Sequence, residues 1–167
     1  EYIVPDVIIG DFDSVKAETL DYFRKYETVE FHQLNPIKDD TDTEYAIRYA
    51  IAHDASEITL LGATGTRMDH VLGNISLLGI GLEQNVPIII LDANNRIRMA
   101  DHSLEILKKE QFGKYVSLIP YSEKVTGLTL KGMKYPLDHY ELGGFNSLCV
   151  SNEIVDHKDE IIFESGI

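Results

Sequence analysis

The sequence has few features of proteins that fold in an oxidising compartment, span a membrane or bind nucleic acids. It contains a single cysteine, Cys149, so no internal disulfide can form, and no apolar stretch is long enough for a membrane span. The 15 Lys and Arg residues are outnumbered by 28 Asp and Glu, which gives a formal net charge of −13. Nucleic acids and anionic membranes bind concentrated positive charge, so we expect neither as a partner. We predict a cytoplasmic protein.

Several common motifs of catalysis are also missing. The sequence has no Gly-x-x-x-x-Gly-Lys-Ser/Thr phosphate loop and no Gly-x-Gly-x-x-Gly fingerprint, which argues against a P-loop kinase or a dinucleotide dehydrogenase. It has no His-x-x-x-His or Cys-x-x-Cys pair, so a zinc site is not expected. Cys149 lies within an apolar run, which predicts a buried and unreactive thiol.

The first half of the chain alternates short apolar runs with amphipathic segments. Strands are predicted at 7–9, 28–33, 57–62 and 87–92, and helices at 15–26, from residue 43 and from about residue 67. Strand, polar loop and helix in repetition are typical of a parallel sheet with crossover helices. We therefore predict a Rossmann-like α/β catalytic domain over residues 1–93.

After residue 92 the helical periodicity fades and glycine, proline and asparagine separate short alternating runs. These runs lie at 96–99, 115–119, 125–130, 147–150 and 160–163. Several short strands at such spacing indicate an all-β sandwich or a half-barrel. The predicted fold class is therefore α/β, with an N-terminal parallel-sheet domain and a C-terminal β-sandwich domain over residues 94–167.

Polar clusters follow three of the predicted strands. They comprise Asp11 and Asp13, then Lys38, Asp39 and Asp42, then Thr64, Gly65, Arg67, Asp69, His70 and Asn74. The carboxyl ends of parallel strands meet at one edge of a sheet, where ligands bind. Four acids gathered there require a cation, and Mg²⁺ prefers carboxylate oxygens. Lys38 and Arg67 would complement a polyphosphate, so the clusters indicate phosphate chemistry.

Structural interpretations of the same residues remain open. Asp11 and Asp13 are also typical of a turn, and Asp39 and Asp42 of the start of a helix. His70 is either a ligand or base, or a hydrogen-bonding residue. A further aromatic group either lines a pocket for a flat ring or belongs to the β core. Its members are Tyr135, His139, Tyr140 and Phe145.

The motifs together resemble those of thiamine pyrophosphokinases in order and spacing. The matching stretches are Gly10-Asp11-Phe12-Asp13-Ser14, Lys38-Asp39-x-Thr41-Asp42, and Gly62-Ala63-Thr64-Gly65-x-Arg67-x-Asp69-His70 followed by Asn74. Residues 143–153, which end in Ser151-Asn152-Glu153, resemble the C-terminal Ser-Asn signature of that family. The resemblance covers nearly the whole chain.

The resemblance implies that the β,γ-diphosphate of ATP is transferred to the hydroxyl of thiamine, giving thiamine diphosphate and AMP. It implies Mg²⁺ as cofactor, ATP as co-substrate, and a homodimer whose active sites lie between subunits. Family members have a further segment before the first motif, so we expect residues beyond both ends of this sequence. Three alternatives stay open: a Mg²⁺-dependent phosphatase, a DxD-type transferase, and a non-catalytic module that binds thiamine or a nucleotide.

The resemblance also implies roles for individual residues. Asp11, Asp13, Asp39 and Asp42 would hold Mg²⁺ and the polyphosphate, while Lys38 and Arg67 offset charge as AMP leaves. The nucleotide pocket would be formed by Thr64, Gly65, Arg67, Asp69, His70 and Asn74. Ser151 and Asn152 would reach thiamine from the partner subunit. Either Asp13 or Asp42 would accept the proton of the alcohol.

Overall fold

The computed structural model describes residues 3–35 and 40–167, so Lys38 and Asp39 lie outside the described residues. The chain divides into two compact units, Glu1–Ser56 and Glu57–Ile167. These units are defined by internal contacts, whereas the predicted domains rest on sequence periodicity. The boundary after residue 93 therefore stays a prediction.

The first unit contains two parallel strands and two helices. Its elements are β1 (Val7–Gly10), α1 (Ala17–Phe23), β2 (Glu30–Gln33) and α2 (Asp42–Ala52). β1 pairs in parallel with β2, with Val7 opposite Glu30 and Gly10 opposite Gln33. α2 packs against β1 and buries Ile47, which is 1% exposed. Burial of this apolar face fixes the start of α2 beside the end of β1.

The second unit begins with another parallel pair joined by a helix. Its first elements are β3 (Ile58–Leu61), α3 (Met68–Gln84), β4 (Ile88–Leu91) and β5 (Arg96–Arg98). β3 and β4 are parallel, and β5 returns antiparallel to β4. α3 ends at Asn85, whose left-handed φ of 54° is a common helix stop. A Cβ on Gly81 would lie 2.5 Å from the Val86 carbonyl oxygen, so glycine permits the close packing of α3 and β4.

The rest of the second unit is a four-stranded antiparallel sheet. Its strands are β6 (Leu104–Leu107), β7 (Lys124–Lys131), β8 (Leu137–Gly143) and β9 (Lys158–Ile162), in the order β6-β9-β7-β8. The core under the sheet includes Val125, Leu130, Leu142 and Ile161. Cys149 belongs to this core, and burial raises the pKa of its thiol. The predicted buried thiol is confirmed.

The observed elements confirm an α/β protein with parallel strand pairs, crossover helices and an antiparallel C-terminal sheet. Two predicted strands are wrong. Residues 115–119 and 147–150 form no strand in the described chain, since Val116 makes only an isolated bridge to Asn152 and residues around Cys149 form turns. The predicted strand at 96–99 exists, but it pairs with β4 instead of the C-terminal sheet. In the described residues, no helix is both long and apolar enough for a membrane crossing.

Candidate active site

A tight turn at the end of β1 presents Asp11 and Asp13. Phe12 between them has a left-handed φ of 63°, and the Asp13 N–H donates to Asp11 Oδ1 at 3.1 Å. The sequence left open whether these acids belong to a turn. Asp11 does stabilise its own turn, because it accepts this backbone hydrogen bond. The turn still leaves the second oxygen of Asp11 at the end of the strand.

Asp42 lies beside the same turn because of Gly10. A Cβ on Gly10 would lie 3.3 Å from Asp42 Oδ2, so the carboxylate rests against the glycine backbone. Asp42 is held there as the first residue of α2, whose N-cap Thr41 accepts a hydrogen bond from the Glu44 N–H at 3.2 Å. The first unit thus brings the end of β1 and the start of α2 together.

The described acids do not form a complete metal cage. Across residues 3–35 and 40–167, no three His, Cys, Asp or Glu side chains are arranged to hold a metal ion. Asp39, the fourth predicted ligand, lies outside this part of the chain. Proteins commonly bind Mg²⁺ through one or two carboxylates together with substrate phosphates. Asp42 and the Asp11–Asp13 turn fit that type of site.

In the second unit, side-chain hydrogen bonds hold Ala63 and Thr64 in the first part of the loop that joins β3 to α3. Gly62 opens the loop with a left-handed φ of 74°. The Thr64 hydroxyl donates to Asp92 Oδ2 at 2.6 Å, and Asn74 Nδ2 donates to the Ala63 carbonyl at 2.9 Å. Gly65, which follows these two residues, has open space where a Cβ would be. Thr64 and Asn74 therefore hold the loop, and its middle is accessible.

Arg67, Asp69 and His70 lie on the exposed surface where α3 begins. Arg67 Nη2 donates to Asp69 Oδ2 at 2.5 Å, and their side chains are 70% and 65% exposed. This contact raises the pKa of Arg67 and lowers that of Asp69. Exposed ion pairs are weak, so a polyphosphate can compete with Asp69 for the guanidinium.

Asp92, which follows β4, was not among the predicted site residues. It accepts hydrogen bonds from Thr64, from the backbone N–H groups of Asn94 and Asn95, and from the Asn95 side chain. Thr64, as the largest cause, and Asn95 lower the pKa of Asp92 far below its usual range. The strand-end rule that identified Asp11 would also have identified Asp92, because β4 is the parallel neighbour of β3.

The Ser151-Asn152-Glu153 segment lies against the C-terminal sheet. Asn152 is 4% exposed, and its Oδ1 accepts from the N–H groups of Tyr135 at 3.1 Å and Glu153 at 2.9 Å. Its Nδ2 donates to the Tyr135 carbonyl at 2.9 Å. Asn152 therefore connects two backbone segments. Ser151 is exposed, and its hydroxyl makes no hydrogen bond to the described residues.

Two lysines pair with the carboxylate of Glu153. Lys134 Nζ lies 3.0 Å and Lys114 Nζ lies 3.7 Å from the carboxylate. Lys134 is the larger cause of the lowered pKa of Glu153. Each lysine also lies over an exposed ring, Lys114 over Tyr115 at 5.0 Å and Lys134 over Tyr135 at 5.6 Å. Tyr135 is thus on the surface, and Phe145 is fully exposed, so neither ring belongs to the core.

Two family models together account for most of the chain. Residues 1–90 match "Thiamin pyrophosphokinase, catalytic domain", and residues 101–167 match "Thiamin pyrophosphokinase, vitamin B1 binding domain". The chain belongs to the thiamine pyrophosphokinase family. The resemblance carried by the sequence motifs is therefore confirmed.

Individual thiamine pyrophosphokinases agree with this assignment. The enzyme of Bacillus subtilis (strain 168) is 35% identical over 99% of this chain and 77% of its own length. Thiamine pyrophosphokinase 2 of Arabidopsis thaliana is 28% identical over 95% of this chain and 60% of its own.

Solved structures give the same result for the fold. The crystal structure of the Bacillus subtilis protein has a TM-score of 0.90 at 36% identity, covering 98% of this chain and 76% of that one. That of thiamin pyrophosphokinase from Geobacillus thermodenitrificans has a TM-score of 0.83 at 34% identity, covering 97% and 74%. The chain therefore has the fold of this family over nearly all of its length.

Proposed function

We propose that this protein transfers the β,γ-diphosphate of ATP to the hydroxyl of thiamine, giving thiamine diphosphate and AMP. Membership in the family confirms the predicted thiamine diphosphokinase activity, with ATP and thiamine as substrates. The comparisons do not support a phosphatase, a DxD-type transferase or a non-catalytic module.

The observation that carries the proposal is the loop between β3 and α3. Side-chain hydrogen bonds from Thr64 and Asn74 hold it, while Gly65 stays accessible and Arg67 is exposed. We assign this loop, with Asp69 and His70, to ATP binding. The backbone N–H groups near the start of α3 favour phosphate oxygens, and Arg67 supplies charge as AMP leaves.

The proposed Mg²⁺ ligands are Asp11, Asp13, Asp39 and Asp42. The Asp42 carboxylate lies against Gly10 at the end of β1, which leads into the turn that carries Asp11 and Asp13. Mg²⁺ bound by these acids would neutralise charge on the polyphosphate. Lys38 is assigned the same electrostatic role. Either Asp13 or Asp42 accepts the proton of the thiamine alcohol.

Thiamine is proposed to meet Ser151 and Asn152 of the partner subunit in a homodimer. The exposed Ser151 hydroxyl is available for a substrate contact, and the buried Asn152 amide fixes the backbone beside it. Sedimentation of the full-length protein tests the dimer. The Rossmann-like sheet of residues 1–93, the β-sandwich of residues 94–167 and the cytoplasmic location also stay proposals.

The reaction is tested by incubating the full-length protein with ATP, Mg²⁺ and thiamine. We expect AMP and thiamine diphosphate in equal amounts, whereas ADP with thiamine monophosphate would overturn the reaction type. Asp13→Asn should lower kcat by roughly 100-fold or more, because it weakens both metal binding and proton acceptance. The matched control is Asp21→Asn on α1, where Asp21 only pairs with Arg24 on the surface. Near-normal turnover of Asp13→Asn would remove the role assigned to it.

A further inference from the structure

Asp92 is the most heavily hydrogen-bonded carboxylate at the end of a parallel strand in the described residues. Its Oδ1 accepts from the backbone N–H groups of Asn94 and Asn95, both at 2.7 Å. Its Oδ2 accepts from the Thr64 hydroxyl at 2.6 Å, and Asn95 Nδ2 lies 3.0 Å from Oδ2 and 3.1 Å from Oδ1. Both oxygens are therefore engaged by neighbours from two loops.

The hydrogen bond between Thr64 and Asp92 has a fixed direction. An ionised carboxylate only accepts hydrogen bonds, and a threonine hydroxyl has one proton to give. The Thr64 hydroxyl thus donates to Asp92 and has no proton left for a phosphate oxygen, which also only accepts. A direct donation from this side chain to the ATP polyphosphate is excluded while the bond persists.

The backbone N–H groups around Thr64, unlike its hydroxyl, remain able to donate hydrogen bonds. In the described parts of the chain, the N–H groups of Thr64, Gly65 and Thr66 make no hydrogen bond to another backbone group. Donors of this kind before a helix are suited to phosphate oxygens. Their direction depends on the backbone conformation at Thr64, which Asp92 holds from the neighbouring strand.

We infer that Asp92 is a positioning residue, which orients the backbone N–H groups of the Thr64–Thr66 loop toward ATP by accepting the Thr64 hydroxyl proton. The inference rests on the proposed role of this loop in ATP binding. The backbone N–H groups of Asn94 and Asn95 contribute to the same arrangement. They donate to Oδ1 of Asp92 and so fix the carboxylate in place.

The charge of Asp92 is consistent with this role. Its hydrogen bonds, that of Thr64 first, lower the pKa of Asp92 well below its ordinary range, so the carboxylate stays ionised throughout the working range of an enzyme. A bare carboxylate near a polyphosphate would repel it. Donors on both oxygens disperse that charge, and this permits an acid to serve as an anchor near an anionic substrate.

The test compares KM for ATP and KM for thiamine in Asp92→Ala, Thr64→Val and the double variant. Asp92→Ala should raise KM for ATP roughly tenfold, the effect of losing a hydrogen bond to a charged group, and leave KM for thiamine within about twofold. Thr64→Val should have a similar effect, and Thr64→Ser, which keeps the hydroxyl, should restore nearly normal KM. The double variant should resemble either single variant, because both remove one contact.

The matched control is Asp101→Ala, since Asp101 is an acid of the same unit that pairs with His102 on the surface. It should leave both KM values unchanged. Thr64→Val retains the shape of the side chain, so it tests the inference even if Asp92→Ala fails to fold. Equal increases of both KM values, or additive effects of Asp92→Ala and Thr64→Val, would overturn it.

Failure of the proposed function is distinguishable from failure of this inference. If the wild-type protein forms no thiamine diphosphate, the proposed reaction fails, and calorimetric titration with ATP replaces KM in the same comparison. A roughly tenfold weaker binding of ATP by Thr64→Val then supports the inference. Unchanged binding by Thr64→Val and Asp92→Ala overturns it.

Discussion

Two regions of the protein are held in place in opposite ways. They are the loop between β3 and α3 and the Ser151-Asn152-Glu153 segment. The loop is fixed from outside, by Asp92 after the neighbouring strand and by Asn74 on α3. The C-terminal segment is fixed from within, because the motif residue Asn152 itself connects its backbone to Tyr135. Asn152 therefore supports the backbone although it belongs to a sequence motif. Asp92 supports the loop although it lies outside the motifs.

The largest expected effect comes from Asn152→Ala. This change leaves the backbone groups of Tyr135 and Glu153 without the partners they have now, at a position that is 4% exposed. Buried groups that lose hydrogen bonds cost about 1–3 kcal/mol each, so we expect the free energy of unfolding to fall by roughly 3 kcal/mol. Urea denaturation measures this loss.

The control for Asn152→Ala is Asn146→Ala, which removes an exposed hydrogen bond to the Leu148 N–H. It should cost far less stability because water can replace the lost partner. If Asn152→Ala unfolds like the wild type, the Asn152 side chain does not support this segment and the contrast between the two regions disappears.

A smaller effect is expected from Asn74→Ala. It removes one hydrogen bond to the Ala63 carbonyl, worth about 1 kcal/mol, while the Thr64–Asp92 contact remains. We expect a modest increase in KM for ATP, below that of Asp92→Ala, with thiamine binding unaffected. Ser76→Ala on the outer face of α3 is the control, since Ser76 bonds within its helix and to Tyr121. If Asn74→Ala raises KM for ATP more than Asp92→Ala does, then Asn74 on α3, and not Asp92 after β4, is the main support of the loop.

The smallest effect is expected from Glu153→Gln, because its lysine partners are 48% and 65% exposed and ion pairs near solvent contribute little to stability. Lys134 lowers the pKa of Glu153, so the folded state favours its ionised form. That contribution is present above the ordinary pKa of 4.5 and is lost as pH falls through the lowered value. The stability difference between wild type and Glu153→Gln should therefore be constant at neutral pH and shrink in acid.

Urea titrations at a series of pH values measure this difference. Glu141→Gln, which removes a separate ion pair with Lys124, should leave the pH dependence due to Glu153 in place. A difference that grows in acid would have the wrong sign and would refute the stabilising role of the Lys134 contact.

Sequence periodicity predicted the N-terminal elements better than the C-terminal ones. β1, β3 and β4 are apolar runs, β2 lies within the alternating segment 28–33, and α2 and α3 each bury apolar residues. β8 was missed because its pairing with β7 is interrupted by shifts in register, and His139 within it has a left-handed φ of 46°. Such a strand does not alternate regularly. Conversely, the run at 147–150 is no strand: Cys149 enters the core from a turn, while Leu148 and Val150 are exposed.

Part of the candidate site could be predicted, because polar residues at the ends of parallel strands are positioned by the sheet. That rule predicted Asp11, Asp13 and Asp42 as site residues, and in the first unit the Asp42 carboxylate lies against Gly10 at the end of β1. It could not reveal that Asn152 faces inward, because an amide serves a ligand or a backbone equally well. Asp92 was overlooked since a single acid before Ala93-Asn94-Asn95 has the composition of an ordinary turn.

The buried thiol of Cys149 reports local opening of the C-terminal sheet. It is the sole cysteine of the sequence and is 3% exposed, so a thiol reagent reacts with it when residues 145–150 detach from the core. The modification rate then measures a local opening equilibrium without any introduced label. A ligand bound to the adjacent segment slows that rate in proportion to its occupancy. If thiamine binds beside Ser151 as proposed, its binding is measurable as chemical protection of one sulfur atom, independently of ATP and of turnover.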